Sequence, residues 1–97
     1  MHARVITLRA REGCFDQVMR VFRESIVPAA HRQPGFLGIV LLGDRKTGRV
    51  VSNSYWNTES DMLTSEKAEY LQEQISRLIS VLSGPPLIEH YEVEVIS

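Results

Sequence analysis

Between Val50 and Asp61 the chain reads VVSNSYWNTESD, and here the side chains able to do chemistry are densest. Trp56, the single tryptophan, brings a large rigid aromatic surface and one N–H donor, which suits stacking on a flat polycyclic molecule. Ser52 and Ser54 place small hydroxyls beside it, and Asn53 can hydrogen-bond a substrate oxygen. Further along, Tyr70 carries a hydroxyl at the margin of an apolar helical stripe. Arg77, two turns later on the same side, can hold an acidic substituent. Alternation along a strand puts Ser52, Ser54 and Trp56 on one face and Asn53 on the other unless a bulge intervenes. Small hydroxyl residues beside a large aromatic leave space on a covered face, so this face is expected to line a cavity beneath the second helix.

Other chemistries find less support. His2, His31 and His90 are scattered among a chain end, a loop and a strand, and no metal-ligand spacing joins them, so no metal site is expected. Cys14 is the lone cysteine. It begins a helix with no histidine near it in sequence, and reads as a small structural residue in a reducing, cytoplasmic setting. The segment GDRKTG lacks the glycine spacing and the following helix of a nucleotide loop.

These residues need a frame. ARVITLRA (Ala3–Ala10) reads as a strand. From Cys14 or Phe15 to Val27 the apolar residues Phe15, Val18, Met19, Phe22 and Ile26 make one helical stripe. Pro28 ends or kinks that helix. FLGIVLLG (Phe36–Gly43) and RVVSNSYW (Arg49–Trp56) form a hairpin. Thr58 caps a short polar helix reaching about Ser65. A second helix runs from Ser65 to Ser83 on Leu71, Ile75, Leu78, Ile79 and Leu82, and Gly84 with two prolines stops it. LIEHYEVEVI (Leu87–Ile96) is the fourth strand. The order β-α-β-β-α-β is the α+β, ferredoxin-like plan, one domain over residues 1–97 with two helices on one face of a four-stranded antiparallel sheet.

The second strand is apolar on both faces, with Leu37, Ile39 and Leu41 pointing one way and Phe36, Val40 and Leu42 the other. Two helices cover one side only, so a second copy, packed sheet to sheet, is the expected cover. Of the 97 residues, 43% are hydrophobic and 24% charged, and the formal net charge is −1. That balance gives nothing with which to hold nucleic acid or an anionic membrane by charge. No apolar run approaches a membrane span, and the N-terminus has no secretory leader pattern.

The element order, QPG before the second strand, Trp56 closing the third, and YW followed by Asp61 at the next helix resemble the antibiotic biosynthesis monooxygenase family, of the dimeric α/β-barrel superfamily. The likeness runs from about Ala3 to Val95. It implies a homodimer whose two sheets form a barrel, with a pocket in each subunit between sheet and helices. It also implies oxidation of a flat phenolic, quinol or polyketide-like small molecule by molecular oxygen, with no cofactor. Trp56, Tyr70 and Asn53 would take the catalytic positions, and Ser52, Ser54, Trp56 and Arg77 would contact substrate. Haem-degrading relatives carry a histidine in the second-helix region and an asparagine on the first strand. Residues 58–83 contain no histidine and ARVITLRA no asparagine, so haem degradation is not expected. A ligand-binding or regulatory dimer with the same pocket is the alternative, because no general base is evident.

Overall fold

A computed structural model of the chain describes residues 1–68 and 70–97. The elements are β1 (His2–Arg9), α1 (Phe15–Val21), a π turn (Phe22–Ile26), α2 (Val27–His31), β2 (Phe36–Asp44), β3 (Arg49–Trp56), α3 (Glu59–Lys67), α4 (Tyr70–Ser76), a 3₁₀ turn (Ile79–Val81) and β4 (Leu87–Glu92). The four strands make one antiparallel sheet in the order β2-β3-β1-β4. This is the ferredoxin-like arrangement, with the helices on one face.

Alternation fixes what each face of the sheet carries. In β1, Arg4, Ile6 and Leu8 point to the helices; in β3, Val50, Ser52, Ser54 and Trp56 do so, and all are buried. Val18, Phe22 and Ile26 pack onto them from the first helical segment, and Leu71 and Leu78 from the second. Gly35 and Gly48 are required by the backbone. Both have positive φ (78° and 79°). A side chain at Gly48 would meet the Ala10 carbonyl oxygen, and one at Gly35 the Asp61 carboxylate. Hence Gly35 both starts β2 and seats the cap of α3.

Four expectations need correction. Of the two outcomes expected at Pro28, an end to the first helix is not what occurs, because the helix continues to His31. Proline has no N–H and its ring crowds the carbonyl one turn back. The chain accommodates this with a π turn, in which the Val27 N–H reaches the Phe22 carbonyl. The helix expected over 65–83 is not one element: α3 runs on to Lys67, α4 starts at Tyr70, and Glu69 lies outside the described residues. After Ser76 the bonds tighten to the three-residue spacing, Arg77 to Gln74 and Leu78 to Ile75, and the Ser76 hydroxyl bonds back to the Glu73 carbonyl at 2.6 Å, a known helix-end habit of serine. A bulge between Phe36 and Gly38 reverses the expected facing at the start of β2. Phe36 joins the core opposite Trp56, whereas Leu37 stays exposed beside Tyr55. Finally, β4 ends at Glu92 rather than Ile96.

Candidate functional site

Beneath the helices lies a cavity of about 20 Å³, lined on the sheet side by Arg4, Ile6, Ser52 and Ser54 and on the helix side by Phe22, Tyr70 and Gln74, among others. A space of this size holds about one water. Its walls are mainly aliphatic, with a polar end where Arg4, Ser52, Ser54 and Tyr70 meet. Tyr70 and Gln74 also border an outer groove of about 400 Å³ that includes Arg32, Glu73 and Arg77. These two side chains are therefore the partition between cavity and groove. The Ser25 hydroxyl, in the π turn, donates to Gln74 Oε1 at 2.8 Å and ties the partition shut.

Arg4 dominates the polar end. Only 1% of it is exposed. In the register of β1 it lies between Ser54 of β3 and His90 of β4. Its Nη1 donates to Ser65 Oγ (2.9 Å) and to the Met62 carbonyl (3.2 Å), both on α3. Glu66 Oε2 is an ion-pair partner at 3.5 Å, and His90 Nε2 contacts that same carboxylate at 3.0 Å. The guanidinium lies 4.9 Å from the centre of the Trp56 ring, a cation–π distance. Its Nε–H is buried without a partner among the described residues. Burial lowers the Arg4 pKa, and the nearby Glu66 and Tyr70 pull it back up. Burial raises the Tyr70 pKa, and the positive charge of Arg4 lowers it. Tyr70 is thus held as a neutral hydroxyl, a donor rather than a base.

The candidate residues divide. Ser52, Ser54 and Tyr70 come together at the cavity. Trp56 does not line it. It is fully buried, donates its indole N–H to Ser54 Oγ at 3.0 Å, and meets the edge of Phe36 at 5.4 Å. The expected stacking platform is a core residue that props Arg4 and Ser54 from behind. Asn53 is half-buried on the opposite face of the sheet, cross-strand from Val5 and Val40. No bulge falls in β3 to turn it round, so the catalytic position expected for Asn53 is not in this cavity. Arg77 is exposed in the outer groove, paired with Glu73 at 3.4 Å; it does not reach the cavity. Arg4 and Gln74 were missed, yet both had a signal. Arg4 shares the parity of Ile6 and Leu8, and Gln74 sits at i+3 from Leu71 on the apolar stripe.

A family model described as antibiotic biosynthesis monooxygenase matches residues 1–77. The chain belongs to the antibiotic biosynthesis monooxygenase family. Among solved structures, the antibiotic biosynthesis monooxygenase fold of this chain is matched by a mutant form of the cofactor-independent oxygenase SnoaB of Streptomyces nogalater, with a TM-score of 0.82 at 16% identity over 98% of this chain and 94% of that one. It is also matched by a monooxygenase from ActVA-Orf6 of Streptomyces coelicolor in complex with nanaomycin D, with a TM-score of 0.80 at 16% identity over 99% and 89%. At those identities the likeness is one of fold. An uncharacterized protein of Mycobacterium tuberculosis is 30% identical over 96% of this chain. The chain spans only 41% of that relative's length.

Among the described residues, no helix is long and apolar enough to cross a membrane. Nor, among the described residues, does any cluster of three or more histidine, cysteine or acidic side chains gather as metal ligands would.

Proposed function

We propose that the chain is a cofactor-free monooxygenase for a flat phenolic, quinol or polyketide-like molecule, bound where the cavity meets Tyr70. The observation that carries this is the buried, mainly aliphatic cavity with a polar end, in a chain of this family. The reaction balances without a cofactor. A methylene flanked by aromatic rings takes one oxygen atom of O₂ to become a carbonyl, and the other leaves as water with the two methylene hydrogens. The protein must hold the ionised substrate, keep water away and supply a proton. Tyr70, kept neutral by burial, suits proton donation to the oxygen that leaves. Ser52 and Ser54 suit hydrogen bonds to ring oxygens. Entry requires Tyr70 to swing out and join the cavity to the outer groove, giving a space in the range of small-molecule sites. Arg77, at that groove, suits an acidic substituent left outside.

The same reading includes a homodimer through the open sheet face. Leu37, Val40, Leu42, Leu87 and Tyr91 are each about half exposed there. A sheet face this apolar is costly in water, and a second copy covers it by symmetry. Oxygen uptake with an anthrone and with a naphthohydroquinone tests the activity. Uptake above the spontaneous rate, lost in Tyr70→Phe while folding is kept, is the expected result.

One observation favours a second reading, a ligand-binding dimer without turnover. Among the described residues, no aspartate, glutamate or histidine lines the cavity, so the cavity itself offers no general base. Saturable binding of a planar phenol with oxygen uptake no faster than the blank would select it.

A further inference from the structure

Arg4 is more than a structural cation. A buried guanidinium needs its donors filled, because a buried charge with an idle donor forfeits the water it lost. Nη1 spends its bonds on α3, through Ser65 and Met62. The Nε–H has no partner among the described residues. The carboxylate beside it among the described residues, Glu66, is shared with His90 and stands at 3.5 Å, beyond a good charged hydrogen bond. Behind the guanidinium, Trp56 is fixed by its bond to Ser54, so Arg4 is braced on the sheet side and gripped on the helix side. Its face of the cavity carries positive charge, two serine hydroxyls and the Tyr70 side chain, with no acid among the described lining residues.

We propose that Arg4 is the anion-holding residue of this cavity, and that the molecule bound there presents to it an ionised phenol or enol oxygen. The proposal rests on reading the cavity as a ligand site. It supplies what the missing base would have supplied: the substrate enters as its own conjugate base, and Arg4 selects that form. A delocalised phenolate suits the mainly aliphatic walls better than a carboxylate does, because its charge is spread over the ring and costs less to bring out of water. The charged groups facing Arg4 are Glu66 on α3, with His90 of β4 behind it, and Tyr70 on α4. Tyr70 is neutral in the working range, so a bound anion meets one cation directly.

The test uses the full chain and 2-naphthol, whose ionisation is read from its absorbance. Arg4 at the oxygen makes the anion bind at least about tenfold more tightly than the neutral phenol, so the bound probe ionises about one pH unit lower than the free probe. An unmoved or raised midpoint, or no binding at near-millimolar probe, overturns the proposal. The paired variant Arg4→Gln with Glu66→Gln removes both charges together and leaves no lone buried one. In it the shift is expected to vanish, and a shift that persists assigns the anion to another residue. Oxygen uptake separates this from the monooxygenase reading. A shifted probe without uptake leaves Arg4 in place and removes the oxygenase; uptake with an unshifted probe removes Arg4 alone.

Discussion

On the face that the helices cover, β1 and β3 present Ile6, Leu8 and Val50 together with Arg4, Ser52, Ser54 and Trp56. On the opposite face the same two strands present Val5, Thr7, Val51, Asn53 and Tyr55, and β2 adds Val40 and Leu42. The covered face holds a buried guanidinium and two serine hydroxyls, and it hides them. The open face is apolar at its centre, partly exposed, and carries the charged Arg9, Arg49 and Glu89 only toward its margins. A chain folding alone would be expected to do the reverse. The difference supports the proposed reading, in which polar groups on the covered face serve a site that a core alone does not require. On the proposed reading the open face serves an association, since its apolar centre is half exposed in the single chain.

The comparison breaks most visibly on the open face. Val40→Glu with Leu42→Glu places two acids at positions about half exposed in the single chain. The fold should tolerate them, whereas a buried, unpaired carboxylate in a dimer interface costs several kcal/mol. Sedimentation at micromolar concentration is expected to give about twice the 11.0 kDa chain mass for the natural sequence and the chain mass alone for the variant. A natural chain that sediments as a monomer would remove the association argument altogether.

Next in size is the charge on the covered face. Arg4→Met strips Ser65, the Met62 carbonyl and Glu66 of a shared donor. A loss of about 3 kcal/mol is expected from removing one partner of a buried pair, at the low end because Glu66 keeps His90. Adding Glu66→Gln should recover part of that loss in urea melts. If the double variant is no more stable than Arg4→Met, the pair is not coupled as its geometry requires.

Much of this was legible in the sequence. Periodicity gave the element order, because each switch between strand and helix spacing is marked by glycine, proline or a capping threonine. Parity in β3 gave the buried set Ser52, Ser54 and Trp56. What parity gives is a face, and a face contains both cavity wall and solid core. Trp56 fell on the solid side because its N–H found Ser54 within the strand, a bond that no spacing rule anticipates. Arg4 was legible by the same parity, but an arginine is so seldom buried that it is passed over. The π turn and the bulge at Leu37 were not legible. Each inserts one residue into a regular ladder: Pro28 marks the place of the first but not its form, and the second is set by the pairing of Phe36 with Trp56 across the sheet.

A smaller effect sharpens the role of Trp56. Trp56→Phe keeps the ring against Phe36 but removes the indole donor to Ser54. That hydroxyl still has the Arg4 carbonyl at 3.4 Å, so the cost should be about 1–2 kcal/mol. Binding of 2-naphthol should weaken only slightly, because the ring is not cavity wall. A loss of binding as large as that of an Arg4 variant would restore Trp56 as a contact residue.

The smallest expected effect concerns Tyr70 and alkaline pH. Burial raises its pKa above that of an unfolded tyrosine, with Arg4 pulling the other way. The folded chain therefore keeps the Tyr70 proton to a higher pH than the unfolded chain does. Stability tied to that proton is complete below the unfolded value of about 10 and is lost as pH rises through the folded value. Tyr91, whose pKa is raised by its hydrogen bond to Glu89, adds a slope of the same sign from an exposed position. Tyr70→Phe should thus flatten the fall of melting temperature above about pH 10 without abolishing it. Tyr91→Phe separates the second contribution. An alkaline slope unchanged by Tyr70→Phe would mean that the hydroxyl is solvated. It would then no longer form the partition that closes the cavity beside Arg4.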